Sequence, residues 1–148
     1  MPPPSPQEFA SAAAQSDGYE IAAGQDAVAQ SRNPRVQEFA RQMVSAHTGT
    51  AHAMGEAAKA SGLEAPRPMV GADQARMLMA LQSLRGEDFD RTYVRQQVLA
   101  HTQALTVMRG YAASGSDANL RRAAQTAVPV IEDHLKMARQ LADLVGDH

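Results

Sequence analysis

Three histidines fall on the inward-facing stripes of three different helical patterns, and one glutamate falls on that of a fourth: His47, His101, His134 and Glu20. Each lies near the middle of its helix. In a bundle of four roughly equal helices, mid-helix positions share a layer whichever way the helices run. Imidazole nitrogen and carboxylate oxygen are ligands for zinc, iron, manganese and copper. A carboxylate taken into an apolar core loses several kcal/mol of hydration unless it is paired. Neighbouring imidazoles would offset part of that loss, and a divalent ion more. The first reading is therefore one divalent transition metal in the bundle core, zinc favoured, bound through Glu20, His47, His101 and His134. Four filled positions point to a structural or storage role, whereas displacing one opens a position for redox or hydrolytic chemistry. A second reading is a metal-free polar network of the same residues in a stress-related or envelope interaction module, titrating near neutral pH. A third is a small redox enzyme or copper carrier using Met43, one turn before His47.

Other residues carry weaker signals. Tyr19 and Tyr93 flank the layer and read either as donors behind the ligands or as core filling. Met43, Met54, Met108 and Met137 follow the helical stripes as core residues do. Asp90 lies three turns before His101, about 16 Å along the axis, and reads as a first-turn charge favoured by the helix dipole. His52 points to solvent, and the terminal His148 receives no role. Glu20 is the one carboxylate read as facing inward. A di-iron carboxylate site needs several, with an ExxH step on two helices. The residues three before the histidines are Val44, Val98 and Ile131, so that pattern fails. No phosphate loop, HExxH or GxSxG motif is present, and no residue is read as catalytic.

Four long helical patterns must position these groups. The first opens on Ser5-Pro6-Gln7-Glu8, a capping box with proline in the first turn, and runs to about Ser31. The second opens on Asn33-Pro34 and ends at Ser61-Gly62. A short helical piece covers Asp73 to about Leu84. The third long helix starts near Asp88 and ends at Ser114-Gly115. The fourth starts at Ser116 or Asp117, carries a stripe from Leu120 to Leu144, and contains Pro129, expected to kink it. No strand-like alternation competes. The fold predicted is all-α, a four-helix bundle with a long, partly helical crossover between the second and third long helices. That is the ferritin-like arrangement. Residues 1–4 are expected to be a disordered segment, and 5–148 a single domain.

Composition bounds the rest. The 148 residues suit one domain with a real core. Fourteen basic against 16 acidic side chains give a net charge of −2, which suggests neither nucleic acid nor an anionic membrane as partner. The absence of cysteine excludes disulfides, thiolate metal sites and cysteine nucleophiles. No apolar run approaches the roughly 18 residues a bilayer span needs. The proline-rich start, Met1 to Pro6, has no charged or apolar region of the signal-peptide kind. A monomer or homodimer is expected, with a metal ion as partner.

Four stretches carry a family resemblance. They are Asp17-Gly18-Tyr19-Glu20-Ile21; Val36-Gln37-Glu38-Phe39-Ala40-Arg41-Gln42-Met43-Val44, leading to His47; Phe89-Asp90-Arg91-Thr92-Tyr93-Val94, leading to His101; and Val128-Pro129-Val130-Ile131, leading to His134-Leu135. In this order and spacing the chain resembles the bacterial family catalogued as domain of unknown function 4142, over nearly its whole length. Ala46 stands where that family often has Asp before the histidine. The resemblance implies a ferritin-like bundle, an exported or periplasmic location with a trimmed N-terminus, and the set Glu20, His47, His101 and His134. It implies no reaction.

Overall fold

Side-chain caps start three of the helices. Ser5 Oγ accepts from the Glu8 amide at 3.1 Å and Glu8 accepts from the Ser5 amide at 3.0 Å, opening α1, Pro6–Gln30. Asn33 Oδ1 accepts from the Arg35 amide at 2.9 Å and opens α2, Pro34–Ala60. After the crossover helix α3, Ala72–Gln82, and α4, Gly86–Ser114, Asp117 accepts from the Leu120 amide at 2.9 Å and opens α5, Ala118–Leu144. Each cap satisfies amides that the first turn leaves without an intrahelical acceptor. The structure is a computed structural model and describes residues 3–67 and 69–146. Residues 1–2 of the expected disordered segment, and His148, lie outside the described residues.

Three-residue connections, 31–33 and 115–117, fold α1 onto α2 and α4 onto α5 as antiparallel pairs. The Ser61 hydroxyl at the end of α2 donates to Asp117 Oδ2 at 2.7 Å, at the start of α5. So α2 and α4 end at the same end of the bundle and run parallel. The crossover must return the chain to the other end, and the four long helices run up, down, down, up. Helix α3 lies on this return path against α1 and α4. It is tied there by the Tyr19 hydroxyl, which donates to Gln96 Oε1 at 2.7 Å, while Gln96 Nε2 donates to the Met77 carbonyl at 3.0 Å. Gly86, at φ +61°, makes the turn from crossover to α4 in a conformation that favours glycine. The helices begin and end within two residues of the sequence reading, α4 at Gly86 rather than Asp88 and α3 at Gln82 rather than Leu84. Leu144, expected on the inward stripe, is 59% exposed, because α5 reaches its last turn there. Helix α5 continues through the exposed Pro129, where water can take the carbonyl that the missing N–H leaves free.

The apolar core is split in two. At the upper end Tyr19, Val36, Phe39, Met43, Phe89 and Tyr93 pack together with Leu81 of α3. At the lower end Phe9 stacks on Tyr111, with ring centroids 3.9 Å apart, among Met54, Leu105, Met108 and Leu120. Alanines and Gly24 fill the seam between α1 and α2.

Gly24 is a point of contact between those helices. A methyl group there would lie 2.7 Å from Val44 Cγ2 and 3.0 Å from the Ala40 carbonyl oxygen. Val44 is stiff in a helix and cannot swing aside freely. In an open helix Gly→Ala stabilises by about 1 kcal/mol; here overpacking of about 1–3 kcal/mol opposes it. Gly24→Ala should therefore lower the urea midpoint, whereas Gly49→Ala, where a methyl group meets nothing within 4 Å, should raise it. Equal gains from both would refute a close α1–α2 seam.

Candidate metal centre

Between the two apolar clusters lies a polar layer. It holds Asp17 and Glu20 from α1, His47 from α2, Gln97 and His101 from α4, and His134 from α5. All but the half-buried His134 are fully buried. The three imidazoles face one another, with ring centroids 5.8 Å apart for His47–His101, 6.0 Å for His47–His134 and 5.8 Å for His101–His134. One ligating nitrogen from each lies within 4.8 Å of the other two.

Two of the rings are held from behind. His47 Nδ1 donates to Asp17 Oδ1 at 2.8 Å. His101 Nδ1 donates to the Gln97 carbonyl, one turn earlier, at 2.8 Å. A carbonyl only accepts, so His101 carries its proton on Nδ1 and presents an Nε2 lone pair. The far nitrogens, His47 Nε2 and His101 Nε2, are buried without a partner, and so is His134 Nδ1. Each such nitrogen costs about 1–3 kcal/mol when nothing satisfies it. Three in one layer is a large uncompensated sum for a natural core.

Glu20 stands apart from this convergence. Its Oε2 is 3.6 Å from His101 Nδ1, the nitrogen that the Gln97 carbonyl engages, and its Oε1 is buried without a partner. Among the described residues, the groups whose ligating atoms gather are the three histidines alone. The sequence reading took Glu20 as the one inward carboxylate, but Asp17 and Asp90 are buried too. Asp17 had a signal: it lies three residues before Glu20 and so shares its face of the helix. Asp90 is buried rather than solvated, one carboxylate oxygen without a partner, and it is not among the gathering groups. Tyr19 donates its hydroxyl to Gln96, and Tyr93 has a buried hydroxyl without a partner. Met43 packs in the upper apolar cluster. His52 is exposed, as expected.

The layer divides the protonation of its members. Burial pushes Glu20 up to about 7, against the pull of the His47 charge. Burial drives His101 down to about 4, only partly countered by its bond to Gln97. Burial and the His47 charge also lower His134. His47 moves the other way: burial alone would lower it, but the Asp17 hydrogen bond and the charges of Glu20 and Asp17 raise it. Burial raises Asp17, and His47 pulls it back.

A raised carboxyl pKa is a stability cost that appears as pH rises. Glu20 is neutral in both folded and unfolded chains below about 4.5 and ionised in both well above 7. Between those values the folded state holds the extra proton, so stability falls as pH rises through the window. In chelator, Glu20→Gln should match the parent near pH 4.5 and exceed it by up to about 3 kcal/mol at pH 8, read by urea denaturation. The lowered His101 acts in both proteins and cancels in the difference. Parallel pH curves would show that Glu20 is not held protonated by burial.

Searches of curated proteins and of solved structures give no significant match. The family model described as a domain of unknown function (DUF4142) matches residues 1–141, which takes in all four long helices up to Leu141 and every member of the polar layer. The resemblance carried by the four motif stretches is thereby borne out, and the chain belongs to the DUF4142 family.

Proposed function

We propose that this protein binds one divalent first-row transition metal, zinc favoured, on His47, His101 and His134. The observation that carries the reading is the convergence of three imidazoles, one ring nitrogen of each within 4.8 Å of the others, in a layer where every one of these rings also has a buried nitrogen without a partner. A tetrahedral zinc site places its nitrogens about 2.1 Å from the ion and hence about 3.4 Å from one another. Nitrogens already within 4.8 Å reach that spacing by moving less than about 1 Å each, within side-chain rotation. Asp17 behind His47 and the Gln97 carbonyl behind His101 are the partners that orient ligating imidazoles and raise their basicity. Glu20 stands behind His101 in this reading, its charge balancing the ion without ligating it. Three protein donors leave a fourth position for a small molecule or water, whose acidity or polarity the ion would increase.

The test is metal content with variants. Protein purified without chelator should carry or take up about one zinc or cobalt per chain. His47→Ala, His101→Ala and His134→Ala should each abolish binding. Asp17→Asn should weaken it roughly 10- to 100-fold, and Glu20→Gln should keep it. Acid should release the ion, because ligation displaces a proton from His47, whose pKa lies above that of an ordinary imidazole. If wild type takes up neither metal, the layer is a metal-free polar network and the proposal falls. Selective loss in Glu20→Gln would instead move the carboxylate onto the metal.

A further inference from the structure

The polar layer is not closed on both sides. Above it, Met43, Val94 and the aromatic cluster fill the bundle. Below it, the three imidazoles face a cavity of about 210 Å³ between the helices. Its walls are the successive turns that descend from each ligand: Thr50, Ala53 and Met54 on α2, then Ala104 and Met108 on α4. On α5 the wall runs from Val130 and Ile131 through Ala127 to Ala123. Almost all of these groups are apolar. Ala53, Thr126 and Val130 are exposed, so the cavity reaches solvent between α2 and α5.

A cavity of about 150 Å³ lined by apolar side chains stays dry and holds a benzene ring. This one is larger, and among the described residues its charged and imidazole wall is the histidine layer with Asp17 and Glu20, the rest being apolar apart from the hydroxyls of Ser16, Thr50 and Thr126. Two thioethers, Met54 and Met108, flank it, and such groups pack well against aromatic rings. We propose that the cavity is a binding site for a small apolar, preferably aromatic, molecule with a single nitrogen or oxygen donor. Its head takes the fourth position on the metal and its body fills the space below. This rests on the three-histidine metal reading. The carboxylates at the layer favour a neutral or singly charged head, because a more negative one would meet Asp17 and Glu20.

Cobalt-loaded protein provides the test, since its visible spectrum reports ligand exchange at the ion. Imidazole offers the head group alone, and benzimidazole the same donor with a fused apolar ring. Both should perturb the spectrum, with benzimidazole binding about tenfold tighter or more. Ala123→Phe, at the end of the cavity remote from the histidines, should abolish that preference. Cobalt stoichiometry and imidazole binding should be unchanged. Ala53→Phe, at an exposed wall position, serves the same purpose should Ala123→Phe fail to fold. If cobalt binds but benzimidazole is no tighter than imidazole, or neither perturbs the spectrum, the cavity proposal is overturned and the metal centre stands. If cobalt does not bind at all, both fall together.

Discussion

The whole bundle is arranged around the cost of taking three imidazoles and two carboxylates out of water in one layer. Water would satisfy every one of their polar atoms, and the core withdraws it. Two hydrogen bonds, His47 to the Asp17 carboxylate and His101 to the Gln97 carbonyl, recover part of the loss. They do so by engaging Nδ1 on each ring, which leaves Nε2 buried and unpaired. An apolar substitution of similar volume would remove the desolvation penalty altogether. A core chosen for stability alone has no reason to keep these groups. The two apolar clusters above and below, and the alanine seam between α1 and α2, supply the stability that holds the layer in place.

The same layer explains the uneven protonation. Five ionisable groups packed together in low dielectric cannot all be charged, so burial separates them. Glu20 and Asp17 are pushed up, His101 and His134 are pushed down, and His47 alone of the three imidazoles is raised, because Asp17 supports its charge. Two of the three imidazoles are thus neutral at neutral pH, the form in which imidazole binds a cation. In the proposed metal-bound form the ring that would release a proton is the one with a carboxylate behind it, and that carboxylate would go on supporting the ring with the ion in place of the proton.

Much of this was legible in the residue order. The helix starts are written in Ser5-Pro6, Asn33-Pro34 and Asp117, because capping is local chemistry. The convergence of His47, His101 and His134 follows from stripe position and mid-helix depth, both properties of a single helix. What was not legible depends on how one helix slides against another. Asp17 and Glu20 lie on one face of α1, and stripe position alone cannot say which of them meets His47. That choice is made by the axial register of α1 on α2, fixed where Gly24 sits against Val44 and the Ala40 carbonyl. A shift of one turn, about 5 Å, would exchange their roles. Asp90, read on sequence as a first-turn charge, lies beyond the first turn because α4 starts at Gly86, where the first-turn acids are Glu87 and Asp88, and it is buried as the helix enters the bundle.

The asymmetry of the layer was written in the chain as well. Each histidine of the triad has a bulkier or polar residue one turn above it: Met43 for His47, Gln97 for His101, Met137 for His134. The turns below carry Thr50 and Ala53, Ala104, and Val130 with Ala127. Helices α2 and α4 descend while α5 ascends, so these smaller residues come after the histidine in two helices and before it in the third. Only the up-down-down-up order brings them to one side. Small side chains at positions that face a common axis cannot fill it, and the space they leave opens directly onto the unpaired imidazole face. A bundle that merely tolerated buried histidines would close over them on both sides. This one packs aromatics against one side of the triad and leaves the other side hollow, which is the asymmetry that the proposed site requires.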